Sequence, residues 1–266
     1  MPTIAANDIE ISYEQLGAGP PLIALHGASS AGSADFGAQI PGLTSAFRVY
    51  LPDARGHGRT RWDPDAGFRA GQLVDDLEAF VDQLGLSSIH LVGFSMGGLT
   101  ALAFSARQPA RVRTLVVAGI SPDREPRASL ARTVLDPARI ERDDPPWAER
   151  LARKHDPGQG PGAWRRLLRA IAADVAIQPL LSARELRAVT APALVACGDR
   201  DPFVPVDQAW RLSRHLRDGR LIVAPDCGHE VLSERPALLN EALAGFYRST
   251  ESAARARAER QSEVHR

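Results

Sequence analysis

Between Ser88 and Gln108 the chain changes its hydrophobic period within a few residues. Ser88 to Gly93 is a short apolar run holding Ile89, Leu91 and Val92, the pattern of a strand buried on both faces of a parallel sheet. From Leu99 the apolar residues recur at helical spacing, as Leu99, Leu102, Ala103 and Ala106, and Pro109 follows the end. The junction reads Gly93-Phe94-Ser95-Met96-Gly97-Gly98, which is G-x-S-x-G with a third glycine behind it. A strand that turns this sharply into a helix strains its central residue and points it out of the sheet. The residues two before and two after must approach closely, which is the reason for Gly93 and Gly97. Ser95 then stands at the strand's C-terminal end, beside helix N–H groups suited to a developing oxyanion. As a bare pattern the motif is weak, since a glycine-rich βα turn can hold an incidental serine. Its place between strand and helix, and the motifs downstream, give it weight.

Around this element the chain alternates β and α patterns. Thr3 to Leu16 reads as a hairpin turning at Asn7-Asp8. Leu22–Leu25 and Arg48–Leu51 are buried strands, with a helix expected between them from about Ala34 to Leu43. Leu73, Val74, Leu77, Phe80, Val81 and Leu84 mark an amphipathic helix before the central strand. Val112 to Ile120 is the sixth strand. The alternation then breaks. Ser121 to about Thr190 is rich in Arg, Asp and Pro, with helices near Ala128–Leu135, Trp147–Arg153, Trp164–Ala173 and Ala183–Val189 and no convincing strand. It resumes with strands Ala193–Cys197 and Arg220–Ala224 and helices Val206–Leu216 and Pro236–Arg248. The expected class is α/β: a mostly parallel, doubly covered sheet from residues 1–121 and 191–250, a helical cap from 122–190, and a polar, fraying tail at 251–266. Ligands of such sheets bind where the strands end.

Composition removes several classes of function. With 266 residues the chain is long enough for one α/β domain and an insertion, and its formal net charge of +0 gives no case for nucleic acid or an anionic membrane. Lys154, the only lysine, lies in a polar segment away from the motifs, which argues against Schiff-base chemistry. No apolar run would span a bilayer, and the N-terminus lacks a signal peptide's basic start and apolar stretch, so a cytoplasmic chain is expected. Cys197 and Cys227 are then expected as free thiols, although both fall near the top of the sheet. The sequence does not speak to oligomeric state.

A serine needs a base, and the base an orienting acid. His229, in Cys227-Gly228-His229-Glu230 after the last strand, is the candidate base. Gly198-Asp199-Arg200-Asp201-Pro202-Phe203-Val204-Pro205 offers two acids. Asp201 lies past the first tight turn and has the reach, whereas Asp199 is placed to tie the turn's own backbone. Asp123 is an outside alternative, and Asp226 reads as a surface turn residue. The second oxyanion donor should come from the loop after Leu22–Leu25, where Gly27 lets the N–H of Ala28 point inward beside that of Met96. His26 and His57 read as loop-fixing, with Asp53 and Arg55 holding the turn around His57. His90, His155, His215 and His265 carry no motif.

Taken in order, His26-Gly27, Asp53-x-Arg55-Gly56-His57-Gly58, Gly93 to Gly98, Gly198-x-x-Asp201-x-x-Val204-Pro205 and Gly228-His229 resemble the α/β-hydrolase superfamily from about Ile9 to Phe246. The resemblance implies the α/β-hydrolase fold with a helical cap after the sixth strand. It implies Ser95 as nucleophile, His229 as base, Asp201 as acid and the N–H groups of Ala28 and Met96 as oxyanion hole. It also implies a small-molecule substrate and neither cofactor nor metal. Related dehalogenases and epoxide hydrolases carry aspartate where Ser95 stands, so those activities are not expected. Hydrolases of carbon–carbon bonds resemble the chain at Ser95 to Gly98 and near Asp201, but usually have a longer glycine run after His-Gly than Gly27-Ala28-Ser29-Ser30. Hydrolysis of a small ester or lactone is the expected reaction. The alternatives are carbon–carbon hydrolysis on the same triad, or a homologue that binds without turnover. Phe36, Phe94, Phe203 and Val231 flank the motifs and are candidate pocket residues. Trp147 and Trp164, with Leu151, Leu167 and Leu168, either roof the pocket or pack the cap.

Overall fold

The computed structural model describes residues 1–264. An antiparallel hairpin, β1 (Thr3–Ala6) and β2 (Ile9–Leu16), opens the chain and turns at Asn7, whose φ of 53° asparagine tolerates better than most residues. Six strands follow: β3 (Pro21–Leu25), β4 (Arg48–Pro52), β5 (Ile89–Phe94), β6 (Val112–Ala118), β7 (Ala193–Gly198) and β8 (Gly219–Ala224). All eight form one sheet in the order β1-β2-β4-β3-β5-β6-β7-β8. Pairing is antiparallel from β1 to β4 and parallel from β4 to β8. This is the α/β-hydrolase architecture that the motifs imply.

The strands read as unbroken apolar runs because helices cover both faces. Leu22 and Ala24 face one layer while Ile23 and Leu25 face the other, and Val92 against Leu91 repeats the split. Helices α2 (Ala70–Gln83), α3 (Met96–Arg107) and α9 (Val206–His215) close one face with Val74, Leu77, Phe80, Phe104 and Leu212. On the other, α1 (Ile40–Thr44), α10 (Val231–Glu234) and α11 (Pro236–Val264) contribute Leu43, Leu232, Leu239, Leu243 and Phe246.

The expected helix at 34–43 is mostly a series of tight turns, with only α1 helical. Pro41 explains this. It has no N–H to bond residue 37, so a helix can begin around it but not run through it. At the C-terminus the chain departs the other way. The tail expected to fray from 251 continues α11 to Val264, while positions 265 and 266 lie outside the described residues. Its low apolar content hid the strong helix propensity of Ala, Arg and Glu.

Between β6 and β7 lie five helices: α4 (Arg127–Val134), α5 (Pro137–Asp143), α6 (Pro145–Gln159), α7 (Ala163–Ile177) and α8 (Ala183–Ala188). The sequence reading missed α5, which is short and charged but capped by Asp136 accepting the Ala138 N–H at 3.1 Å. Helices α4 to α7 share a small core of Ala131, Ile140, Leu151, Trp164, Leu168 and Ile171. Helix α8 instead sends Leu186, with Val189 just beyond it, into the core below the sheet. Among the described residues, no helix is long and apolar enough to cross a membrane. Cys197 and Cys227 are buried and free.

Candidate active site

The turn from β5 into α3 is as tight as the glycines demand. Ser95 takes φ 50° and ψ −115°, a strained conformation for a residue with a side chain. Its N–H donates to the Ala118 carbonyl at 2.8 Å, and its own carbonyl accepts the Leu99 N–H at 3.0 Å. A Cβ on Gly93 would run into the Gly97 carbonyl and come 2.7 Å from Gly98 Cα. One on Gly97 would strike the carbonyls of Leu25 and His26.

Three strand ends supply the side chains that meet here. His229 Nε2, from the loop after β8, lies 3.0 Å from Ser95 Oγ. Its Nδ1 lies 2.8 Å from Asp201 Oδ2, from the loop after β7. The Asp201 carboxylate is fully buried, and its Oδ1 accepts the N–H groups of Phe203 at 2.8 Å and Val204 at 3.1 Å. Every lone pair direction that matters is therefore used, and the acid is fixed in place. The other acids lie elsewhere. Asp199 accepts the Cys227 N–H at 3.2 Å and so joins the two loops. Asp123 pairs with Arg211, and Asp226 sits in the turn after β8 at φ 47°.

The loop holding His229 has supports that the motifs did not reveal. Glu234 accepts the Gly228 N–H at 2.8 Å and the Glu230 N–H at 3.2 Å. The rings of Phe94 and Phe203 lie 5.2 and 4.8 Å from the imidazole. Gly119, directly after β6, passes beneath it. A glycine at the end of a strand beside the elbow was the available signal.

Ala28 and Met96 both border the cavity over Ser95. The Gly27 N–H is held by Asp35 Oδ2 at 2.7 Å, and a Cβ on Gly27 would lie 3.0 Å from the Phe94 ring. His57 Nε2 is 3.0 Å from the Ala28 carbonyl, and His26 Nε2 accepts the Ala54 N–H at 2.9 Å. Both histidines thus brace this loop. Burial pushes His26 down to about 4 and His57 to about 3, so each is neutral near pH 7. Asp53 holds its turn by accepting the Arg59 N–H at 2.9 Å. Arg55 reaches further than the turn it was expected to hold. It is forked onto Asp76 of α2 at 2.9 and 2.8 Å and meets Asp8 of the first hairpin at 2.8 Å. Helix α6 is stitched to the same region. Lys154 donates to the Ser29 carbonyl at 3.1 Å, and His155 Nδ1 accepts the Gly58 N–H at 3.1 Å.

A cavity of about 420 Å³ opens on Ser95 and His229, floored by α2 and α3 and roofed by α4 and α7. Phe94, Phe203 and Trp147 border it. Phe36, Trp164 and Val231 do not, which corrects the sequence reading. Phe36 and Val231 turn into the core on the far face, and Trp164, 1% exposed, fills the centre of the cap with Leu151, Leu167 and Leu168. Leu99 and Ala103 were missed, although their i, i+4 spacing from Ser95 puts them on its face of α3. The arrangement suits a proton relay from a hydroxyl to a carboxylate-oriented imidazole beside an apolar chamber.

Comparison with known proteins gives a consistent family. Residues 22–242 match the model of the alpha/beta hydrolase family. A 2-hydroxy-6-oxononadienedioate/2-hydroxy-6-oxononatrienedioate hydrolase of Pseudomonas putida is 30% identical over 90% of this chain and 92% of its own. The human serine hydrolase BPHL is 28% identical over 86% of this chain and 79% of its own. A thermophilic esterase from Thermogutta terrifontis superposes with a TM-score of 0.73 and 27% identity, covering 91% of this chain and 94% of that one.

Proposed function

Because the chain belongs to the alpha/beta hydrolase family, we propose that it is a serine hydrolase that cleaves a carboxylic ester or lactone through an acyl-enzyme. The observation that carries this reading is the unbroken line from Ser95 Oγ through the His229 imidazole to Asp201, with links of 3.0 and 2.8 Å. His229 takes the Ser95 proton as the oxygen attacks the substrate carbonyl. The N–H groups of Ala28 and Met96 receive the oxyanion. His229 then protonates the departing alcohol, and water, activated by the same imidazole, releases the acid. Asp201 keeps the Nδ1 proton in place and stabilises the imidazolium.

Turnover of aryl esters and lactones by wild type and Ser95→Ala tests it. The variant should lose on the order of 10⁶-fold in kcat. A fluorophosphonate should label the wild-type serine and leave Ser95→Ala unlabelled. Full turnover by Ser95→Ala on every ester that the wild type cleaves would refute the mechanism.

A second reading, carbon–carbon bond hydrolysis on the same triad, is supported by the Pseudomonas putida relative. Turnover of a vinylogous diketone with negligible esterase activity would favour it.

A further inference from the structure

Among the described residues two arginines, Arg55 and Arg127, are buried, and the fold treats them differently. Arg55 is neutralised by Asp76 and Asp8. Arg127, the first residue of α4, is 7% exposed and borders the cavity roof, yet among the described residues no carboxylate lies within ion-pairing distance. With the Gln178 amide turned to present its oxygen, Nη1 and Nη2 meet that oxygen alone, and Nε is buried without a partner.

The neighbouring charges do not supply the missing anion. Asp174, on α7, is engaged with the Ala70 N–H at the start of α2, at 3.1 Å. Arg124 is a like charge bound to the Ala176 and Gln178 carbonyls. Glu125 faces solvent and accepts the Ser129 hydroxyl at 2.6 Å. Asp35 and Glu230, the other acids on the wall, lie toward the triad, where Asp35 holds the Gly27 N–H. Burial draws Arg127 down to about 10, which leaves it cationic near pH 7. Asp174 and Glu125 act on Arg127 only from a distance, and a buried cation without a carboxylate in direct contact is unfavourable. Set in the wall of a substrate cavity beside Leu99, Ala103, Ala131, Ile171 and Val175, with Asp174 held by the Ala70 N–H and Asp35 and Glu230 toward Ser95, it is a place for an incoming anion.

We infer that Arg127, presented by Gln178, is a specificity subsite for a carboxylate on the substrate, remote from the carbonyl that Ser95 attacks. The planar guanidinium matches a carboxylate with two parallel hydrogen bonds, which a neutral ester end cannot replace. The substrate class is therefore a half-ester or lactone that bears a free acid. This rests on the serine-hydrolase reading for the position of the reacting carbonyl, but the binding preference can be measured without turnover.

The test titrates Ser95→Ala protein calorimetrically with monomethyl adipate and with dimethyl adipate. The half-acid should bind roughly tenfold to a hundredfold more tightly, the range of a charge-assisted contact. In Ser95→Ala/Arg127→Met the two should bind within about twofold of each other. Arg127→Lys, which keeps the charge and loses the fork, should retain part of the preference. Equal binding to Ser95→Ala, or a preference that survives Arg127→Met, overturns the assignment. If Arg127→Met does not fold, Arg127→Lys decides, because an undiminished preference there excludes a forked contact. In the Ser95 enzyme the same pair should differ in kcat/KM mainly through KM. Failure of Ser95→Ala to abolish turnover would sink the catalytic reading and leave the carboxylate preference to be judged by itself.

Discussion

A Cβ built on Gly119 would lie 3.0 Å from Cε1 of His229, so the backbone leaving β6 is the floor on which the imidazole rests. The same atom would lie 3.1 Å from the Phe94 ring, and Gly119 has φ +64°, which disfavours any side chain. Gly119→Ala should push the ring off its line to Ser95. A displacement near 1 Å predicts a fall in kcat of about 10²-fold, with about 1–2 kcal/mol of stability lost to backbone strain. Ester kinetics and thermal unfolding measure the two separately. Unchanged kcat would mean that the ring has room to yield.

The two acids after β7 should separate cleanly. Asp201→Asn keeps the shape but favours the wrong imidazole tautomer, and kcat should fall about 10⁴-fold, the loss known for the equivalent change in the serine-protease triad. Asp199→Asn weakens the bond to the Cys227 N–H and the contact with the exposed Arg200, and should lower kcat less than about tenfold. Comparable losses in both would show that loop geometry, not proton orientation, dominates.

Much of this was legible because sheet and elbow place strict demands on local sequence. Doubly covered strands must be apolar at consecutive positions, and the elbow accepts only glycine at 93 and 97. The order of Ser95, Asp201 and His229 along the chain is what the resemblance to the α/β-hydrolases implies. Pocket lining was less legible because adjacent residues point opposite ways. Asp35 borders the cavity while Phe36 is in the far core, and Glu230 borders it while Val231 does not. Proximity to a motif therefore named the wrong side chain twice. In the cap, Trp147 and Trp164 both lie on amphipathic helices, and only tertiary packing decides that Trp164 is the centre of the small core. Asp76 acts through contacts with loops distant in sequence, which no local pattern records, and Glu234 caps the N–H groups of a loop four to six residues before it, a contact outside the motifs.

Acid should unfold this protein through its buried histidines. From a usual value near 6.5, burial lowers His26 and His90 to about 4 and His57 and His155 to about 3. Between about pH 6.5 and 4 the unfolded chain therefore binds more protons than the folded one. Stability is fully present above that window and falls as the pH drops through it. Asp53, raised to about 6 by burial, takes up a proton in the folded state and opposes the trend. Four histidines against that carboxyl leave about three net protons, or roughly 4 kcal/mol per pH unit at the steepest. Urea midpoints at several pH values down to 5 would give the slope, and a flat profile would contradict it.

The Arg55–Asp76 pair should be the costliest polar contact to break. Both side chains are nearly inaccessible, at 2% and 6%, and Asp76 also accepts from the Asn7 amide at 2.9 Å. Asp76→Asn removes the charge that the buried guanidinium depends on and should cost about 3–5 kcal/mol. Asp8 touches the same arginine at the same 2.8 Å but is 59% exposed, so Asp8→Asn should cost less than about 1 kcal/mol. Arg55→Met/Asp76→Leu, which removes both charges and keeps apolar volume, should recover much of the loss from Asp76→Asn. Urea denaturation of the four proteins tests the ordering. Equal losses from Asp8→Asn and Asp76→Asn would mean that hydration of the first hairpin, rather than burial in α2, sets the energy of this contact.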